Sequence, residues 1–195
     1  AKDAFTRFND QDAAYQIAFH LSHYGGMPED LGDINNDGIN DFGNMSHFAY
    51  SNNKMYAGEC HIWLGRKEKI NTKKDFPDLI VYGDKAYGKI CISFAAAGDF
   101  NGDGIDDFMM SAAFRDSERE GEFLEQTGSV YIVYGGQFKF EKGKTIQIRA
   151  EDIGSKVKGI HIGAENDGSA YLGYANGLES GDINGDGISD LVISS

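Results

Sequence analysis

One nine-residue pattern, Asp-x-Asn-x-Asp-Gly-x-x-Asp, occurs three times in this 195-residue chain, starting at Asp33, Asp99 and Asp182. Gly32, Gly98 and Gly181 precede the three copies. Asp-Gly and Asn-Gly pairs are good hairpin turns, because Gly and Asn tolerate positive φ. A plain turn, however, does not need oxygen-bearing side chains at positions 1, 3, 5 and 9. Three copies with the same residue types at those positions and Gly at position 6 point to a cation.

The chemistry of the pattern is specific. Calcium takes six to eight oxygen ligands at roughly 2.3–2.6 Å. Side chains at 1, 3, 5 and 9 with a backbone carbonyl at 7 can surround such an ion from one segment. The candidate ligands are therefore Asp33, Asn35, Asp37, Ile39 (carbonyl) and Asp41; Asp99, Asn101, Asp103, Ile105 (carbonyl) and Asp107; and Asp182, Asn184, Asp186, Ile188 (carbonyl) and Asp190. Gly38, Gly104 and Gly187 permit the sharp bend. Carboxylates crowded together repel one another until a cation arrives. Magnesium, which demands a tight octahedron and keeps its waters, fits less well. An EF-hand is excluded, since its twelfth position should be a bidentate Glu and is Asn44, Met110 and Ile193 here. The expectation is about three Ca²⁺ per chain.

The copies are 66 and 83 residues apart, a period that suits a four-stranded propeller blade with variable loops. Short apolar runs follow each loop: Phe42 to Met45, Phe108 to Ala113 and Leu191 to Ile193. Gly58 to Gly65 parallels Gly128 to Gly135, and both read as strands between glycines. Further strands are expected at Tyr15 to Leu21, Leu79 to Tyr82, Ile90 to Ala95 and Thr145 to Arg149. No long amphipathic helix is visible. The expected class is all-β, with approximate repeats at 1–75, 76–150 and 151–195, the last incomplete.

A net charge of −13 argues against a nucleic-acid partner, since like charge repels the phosphate backbone. Three bound Ca²⁺ would bring it to −7. No apolar run is long enough to span a bilayer, and no signal peptide is visible. Residue 1 is Ala, which reads as a processed product or a fragment. Cys60 and Cys91 allow either one bridge or two buried thiols, with buried thiols slightly favoured. Asn44-Met45-Ser46 matches a glycosylation sequon at the start of an expected strand. Enzyme signals are weak. His20 and His23 form no His-Glu-x-x-His pattern, and positions three apart on a strand face opposite sides. Gly83 to Lys89 is one residue short of a P-loop and reads as a connection between strands. Lys67 to Lys74 reads as a solvated basic loop.

Tyr87-Gly88, then Ala96 to Phe108 with its Asp loop, then Ser111-Ala112-Ala113, resembles an FG-GAP repeat, the unit of the integrin α-subunit β-propeller. The second copy matches best, with Ser-Ala-Ala in place of Gly-Ala-Pro. The resemblance covers the chain as about three repeats. It implies a seven-bladed propeller of which this chain supplies less than half, the rest coming from the same or other chains. It also implies an extracellular or cell-surface location, and a calcium-dependent adhesion or interaction module. The calcium loop would join the first two strands of a blade on its lower face. A protein or glycan ligand would bind the upper face, here His47 to Ala57, Gly83 to Tyr87, Phe114 to Thr127 and Asp152 to Ala170. FG-GAP repeats also accompany secreted hydrolases such as a phospholipase, so a non-catalytic propeller portion of such an enzyme is the alternative.

Overall fold

The computed structural model describes residues 28–67, 70, 75–119, 122–124, 126–163, 170–174 and 176–195. The expected strand at Tyr15 to Leu21, with His20 and His23, lies outside the described residues. The described chain is all-β, built of sheets that match propeller blades. The first blade runs β1 (Glu29–Gly32), β2 (Asp41–Ser46), β3 (Glu59–Trp63) and β4 (Leu79–Tyr82) as an antiparallel meander. The second blade begins with β5 (Phe94–Gly98) and β6 (Asp107–Ser111). A small hairpin, β7 (Ser117–Arg119) and β8 (Glu122–Leu124), interrupts it. It then continues with β9 (Ser129–Val133). On the way to its fourth strand the chain forms β10 (Ile146–Arg149), then β11 (Gly159–Gly163) completes the blade against β9. The third unit shows β12 (Leu178–Gly181) and β13 (Asp190–Ile193) as an antiparallel pair.

Two sequence expectations shift at the blade edges. Pairing groups residues 29–82 and 94–163, so the approximate boundaries at 75 and 150 fall before β4 and before β11. The first blade's fourth strand, expected at Leu79 to Tyr82, is β4, whereas β11 is a strand that the apolar runs did not mark. The expected strand at Ile90 to Ala95 begins only at Phe94, because residues 87–91 turn, with Tyr87, Lys89 and Cys91 all at positive φ.

The strand β10 belongs by sequence to the second blade but pairs parallel with β4 of the first. It thereby occupies an edge that would otherwise expose a row of unpaired amides and carbonyls. Thr145 Oγ1 donates to the Pro77 carbonyl at 2.7 Å and secures its entry.

Packing follows the period of two along a strand. In β6, Phe108 and Met110 face the first blade while Met109 faces the third unit. In β9, Tyr131 and Val133 share the first cluster, and Val130 and Ile132 the second. Both faces of the inner strands β6 and β9 are buried, which is why these two read as largely apolar runs rather than alternating ones. The first strands of successive units lie side by side, β1 by β5 and β5 by β12. Phe108 is fully buried and meets the Phe94 ring edge-on at 6.1 Å. Phe108→Ala should therefore cost about 3–5 kcal/mol, read by urea unfolding. A loss below 1 kcal/mol would mean that this interface is not close-packed.

Candidate metal centres

Each Asp loop is the connection from the first strand of a unit to its second, joining β1 to β2, β5 to β6 and β12 to β13. The three share one internal hydrogen-bond pattern. In the first loop, Asp37 N–H donates to Asp33 Oδ1 (2.9 Å) and Asn35 Oδ1 (3.0 Å). Gly38 N–H donates to Asp33 Oδ2 (2.7 Å), and Ile39 N–H to Asp37 Oδ1 (3.0 Å). The second loop repeats these contacts from Asp103, Gly104 and Ile105 to Asp99, Asn101 and Asp103. The third repeats them from Asp186, Gly187 and Ile188 to Asp182, Asn184 and Asp186. Gly38, Gly104 and Gly187 sit at φ +86°, +86° and +89°, a bend that a residue with a Cβ adopts only with strain.

Position 9 behaves differently from the others. Asp41 and Asp107 are fully buried. Asp41 Oδ2 accepts Ile34 N–H (3.0 Å) and Oδ1 accepts Gly65 N–H (2.7 Å), just past β3. Asp107 Oδ2 accepts Phe100 and Asn101 N–H, and Oδ1 accepts Gly135 N–H (2.8 Å), just past β9. In the third unit Asp190 Oδ2 accepts Ile183 and Asn184 N–H, and Oδ1 accepts Asn184 Nδ2–H at 3.4 Å. The position-9 carboxylate thus ties its own loop to the end of the third strand wherever that strand is described.

These arrangements fit a hard cation. Every side-chain donor is oxygen, positions 3 and 5 lie near or at the surface, and a carboxylate oxygen accepting one amide keeps a second lone pair. Among the described residues no three His, Cys, Asp or Glu side chains are already drawn together at metal-binding distance. Their oxygens accept the loop's own amides instead. At position 7, Ile39 packs over Gly65 and Ile105 over Gly135 and Gly136. Ile188 is exposed.

The loops also touch one another, through a residue that the motif does not use. Asp106, at position 8 of the second loop, accepts Asp33 N–H on Oδ2 at 2.8 Å. A Cβ on Gly32 would sit 2.2 Å from that same oxygen. A Cβ on Gly98 would likewise sit 2.2 Å from Ser189 Oγ, position 8 of the third loop. The glycine ahead of each of these loops is therefore the seat of the next loop. The recurrence of Gly32, Gly98 and Gly181 was the sequence signal for it.

At the other end of the blades lie the connections 47–58 and 83–93, and the described residues of 112–128 and 170–177. The segment Asp152 to Ala170 divides: 152–158 precedes β11 at the Asp-loop end, where the Lys158 carbonyl accepts Tyr134 N–H at 3.2 Å. Its earlier part is thus not on the upper face: after β10 and a one-turn 3₁₀ segment, Ala150–Asp152, the chain comes back to the lower end by Lys158. Cys60 and Cys91 form a disulfide rather than buried free thiols. A turn brings Cys91 back onto β3, a proximity that their separation of 31 residues did not reveal. Asn44 is buried within β2 with its Oδ1 on Met45 N–H, so a glycan there is incompatible with this packing. Exposed Tyr56 and Tyr87 meet edge-on, and Lys89 Nζ stands 4.0 Å from the Phe114 ring centroid and 5.2 Å from that of Phe48. Beneath them the buried Asp84 carboxylate accepts a forked pair from Arg115, Nη2 at 2.7 Å and Nε at 3.1 Å. Burial pushes the Asp84 carboxyl up, but the guanidinium outweighs it and holds the group below its ordinary range.

An FG-GAP repeat model matches residues 93–133, which hold β5, the second Asp loop, β6 and β9. Integrin alpha pat-2 of Caenorhabditis briggsae is 24% identical over 190 residues, covering 91% of this chain and 14% of that protein. Residues 93–133 thus match one FG-GAP repeat, and the chain as a whole is similar to an integrin α chain. It spans about one-seventh of the length of the curated relative it matches.

The buried carboxylates make stability depend on pH. Burial pushes Asp41 up to about 8, with the Asp37 and Asp33 charges adding to it against the Gly65 and Ile34 amides. Burial likewise raises Asp107 to about 6. A carboxyl with a raised value in the folded state holds its proton more tightly there than when unfolded. Its contribution is full at low pH and is lost as pH rises through the folded value. His47 and His161 are lowered by burial, so above about pH 7.5 they are neutral in both states. The metal-free protein should therefore lose stability between about pH 7.5 and 8.5, read as a falling Tm in chelator. Asp41→Asn should flatten that slope. A metal-free Tm that rises over the same interval would show that Asp41 is ionised throughout.

Proposed function

We propose that this chain is a calcium-stabilised, adhesion-type propeller segment that acts outside the cell. Calcium bound in the three loops is structural: it pins the first hairpin of each blade, so that the loops at the opposite end present a fixed surface to a protein or glycan. The observation that carries this reading is the same loop geometry, built from the same oxygen ligands, in three successive units. An extracellular setting agrees with the Cys60–Cys91 bridge, since such bridges persist in oxidising compartments. It agrees also with the similarity to an integrin α chain.

Ligation follows from the loop residues. Asp33, Asn35, Asp37 and Asp41 supply side-chain oxygens and Ile39 its carbonyl. The sets Asp99, Asn101, Asp103, Ile105, Asp107 and Asp182, Asn184, Asp186, Ile188, Asp190 do the same. The cation offsets the mutual repulsion of three carboxylates per loop. Affinity at the extracellular level, roughly 10⁻⁴ to 10⁻³ M, is sufficient for this role. The upper-face ligand is taken to bind across the connections around Phe48, Tyr56, Tyr87 and Tyr174, and further blades complete the propeller.

Calorimetric titration of metal-stripped protein should give close to three Ca²⁺ per chain. Asp103→Ala combined with Asp186→Ala should reduce that count to one and lower the Tm in calcium by several degrees. A Tm unchanged by the double substitution in calcium would remove the structural role, and no heat of binding would reduce the loops to plain turns.

A further inference from the structure

We infer that the first and second loops bind calcium as a coupled pair, with Asp106 as the positioning residue between them, whereas the third loop binds independently. This rests on the calcium reading above.

A continuous hydrogen-bond path joins the two buried position-9 carboxylates. Asp107 Oδ1 accepts Gly135 N–H at 2.8 Å. The next amide, Gly136 N–H, crosses to the first blade and donates to the Ile34 carbonyl at 2.8 Å. Ile34 N–H in turn donates to Asp41 Oδ2 at 3.0 Å. Beside this path runs a second one. Asp106 stands between two ligands of the second loop, the Ile105 carbonyl and Asp107, and its carboxylate holds Asp33 N–H at 2.8 Å. Asp33 is the first ligand of the first loop. Gly32 lets Asp106 approach this closely, because any Cβ there would overlap the carboxylate.

Both paths are short, pass through backbone, and have little room to slip, since the residues at the crossing are glycines with close neighbours. Drawing in the second loop around a cation fixes residues 105–107, hence the Asp106 carboxylate, hence the Asp33 amide and the Asp33 side chain attached to it. By linkage the effect is reciprocal. The junction between the second and third loops differs. There the only amide-to-carbonyl contact is Ser189 N–H to Asp99 O at 3.4 Å, and the side chain at position 8 is a neutral serine. The coupling therefore stops at the second loop.

The test follows each loop separately by the amide resonances of Gly38, Gly104 and Gly187 in ¹⁵N-glycine-labelled protein titrated with CaCl₂ alone. Four forms of the intact chain make a cycle: unmodified, Asp37→Ala, Asp106→Ala, and both substitutions together. Asp37→Ala removes a ligand from the first loop only. It should weaken calcium binding at Gly104 by about fivefold or more and leave Gly187 unmoved. In the Asp106→Ala background the same substitution should have a smaller effect at Gly104, by about half or more. Calcium bound at all three loops, with Gly104 indifferent to Asp37→Ala, overturns the coupling and leaves the calcium reading intact. Calcium bound at none overturns the calcium reading and the coupling with it. Asp106→Asn, which keeps the shape and one acceptor oxygen, should restore most of the coupling and thus separates positioning from a general loss of fold.

Discussion

The structure depends on a buried carboxylate at the ninth position of the first two Asp loops. Asp41 and Asp107 leave water completely, a placement that is costly unless every lone pair is answered. Backbone amides answer them, one set from the loop itself and one from the residue just past the third strand. That single side chain therefore joins the hairpin, the third strand and the blade. Burial raises both carboxyls above their ordinary range, so the joint is under electrostatic load in the absence of a cation. A divalent ion facing the same oxygens relieves that load, which is the physical link between the metal reading and the fold.

The opposite end of the blades is held by other means. The connection from β4 to β5 carries Tyr87, Lys89 and Cys91 at φ +61°, +51° and +65°, conformations that cost about 1–2 kcal/mol each for residues with a Cβ. Backbone bonds hold them in place, Tyr87 N–H to Met55 O at 2.8 Å and Lys89 N–H to Tyr56 O at 3.0 Å. The Cys60–Cys91 disulfide and the Asp84–Arg115 pair fix the same connection to β3 and to the segment after β6. The β4–β5 connection is thus tied down by backbone bonds, a disulfide and an ion pair, and it carries the exposed Tyr87 beside Tyr56.

Successive units meet through side chains that belong to neither strand pattern nor motif. Position 8 of one loop rests on the glycine ahead of the previous loop, once with a carboxylate and once with a serine. The β10 segment reaches from the second blade to the outer edge of the first. Repeat proteins gain stability from such nearest-neighbour contacts, and both contacts described here act between adjacent units only.

The sequence by itself determined the parts whose physics is local. Spacing of Asp, Asn and Gly placed the three loops and their bends, and apolar runs placed β2, β3, β4, β6, β9, β10 and β13, because turns and strands are encoded by neighbours in the chain. The all-β class and the FG-GAP resemblance followed from those local signals. Only the tertiary structure decided what depends on residues far apart in sequence. Asp106 reads as one more acidic residue until Asp33, 73 positions away, is seen to donate to it. Cys60 and Cys91 were undecided as thiols or bridge until a positive-φ turn brought them together. The end of the segment 152–158 lies at the Asp-loop end, where the Lys158 carbonyl accepts the amide of Tyr134, 24 positions away. Position 9 read as a ligand like the others, and only burial against the end of the third strand revealed it as the joint of the blade.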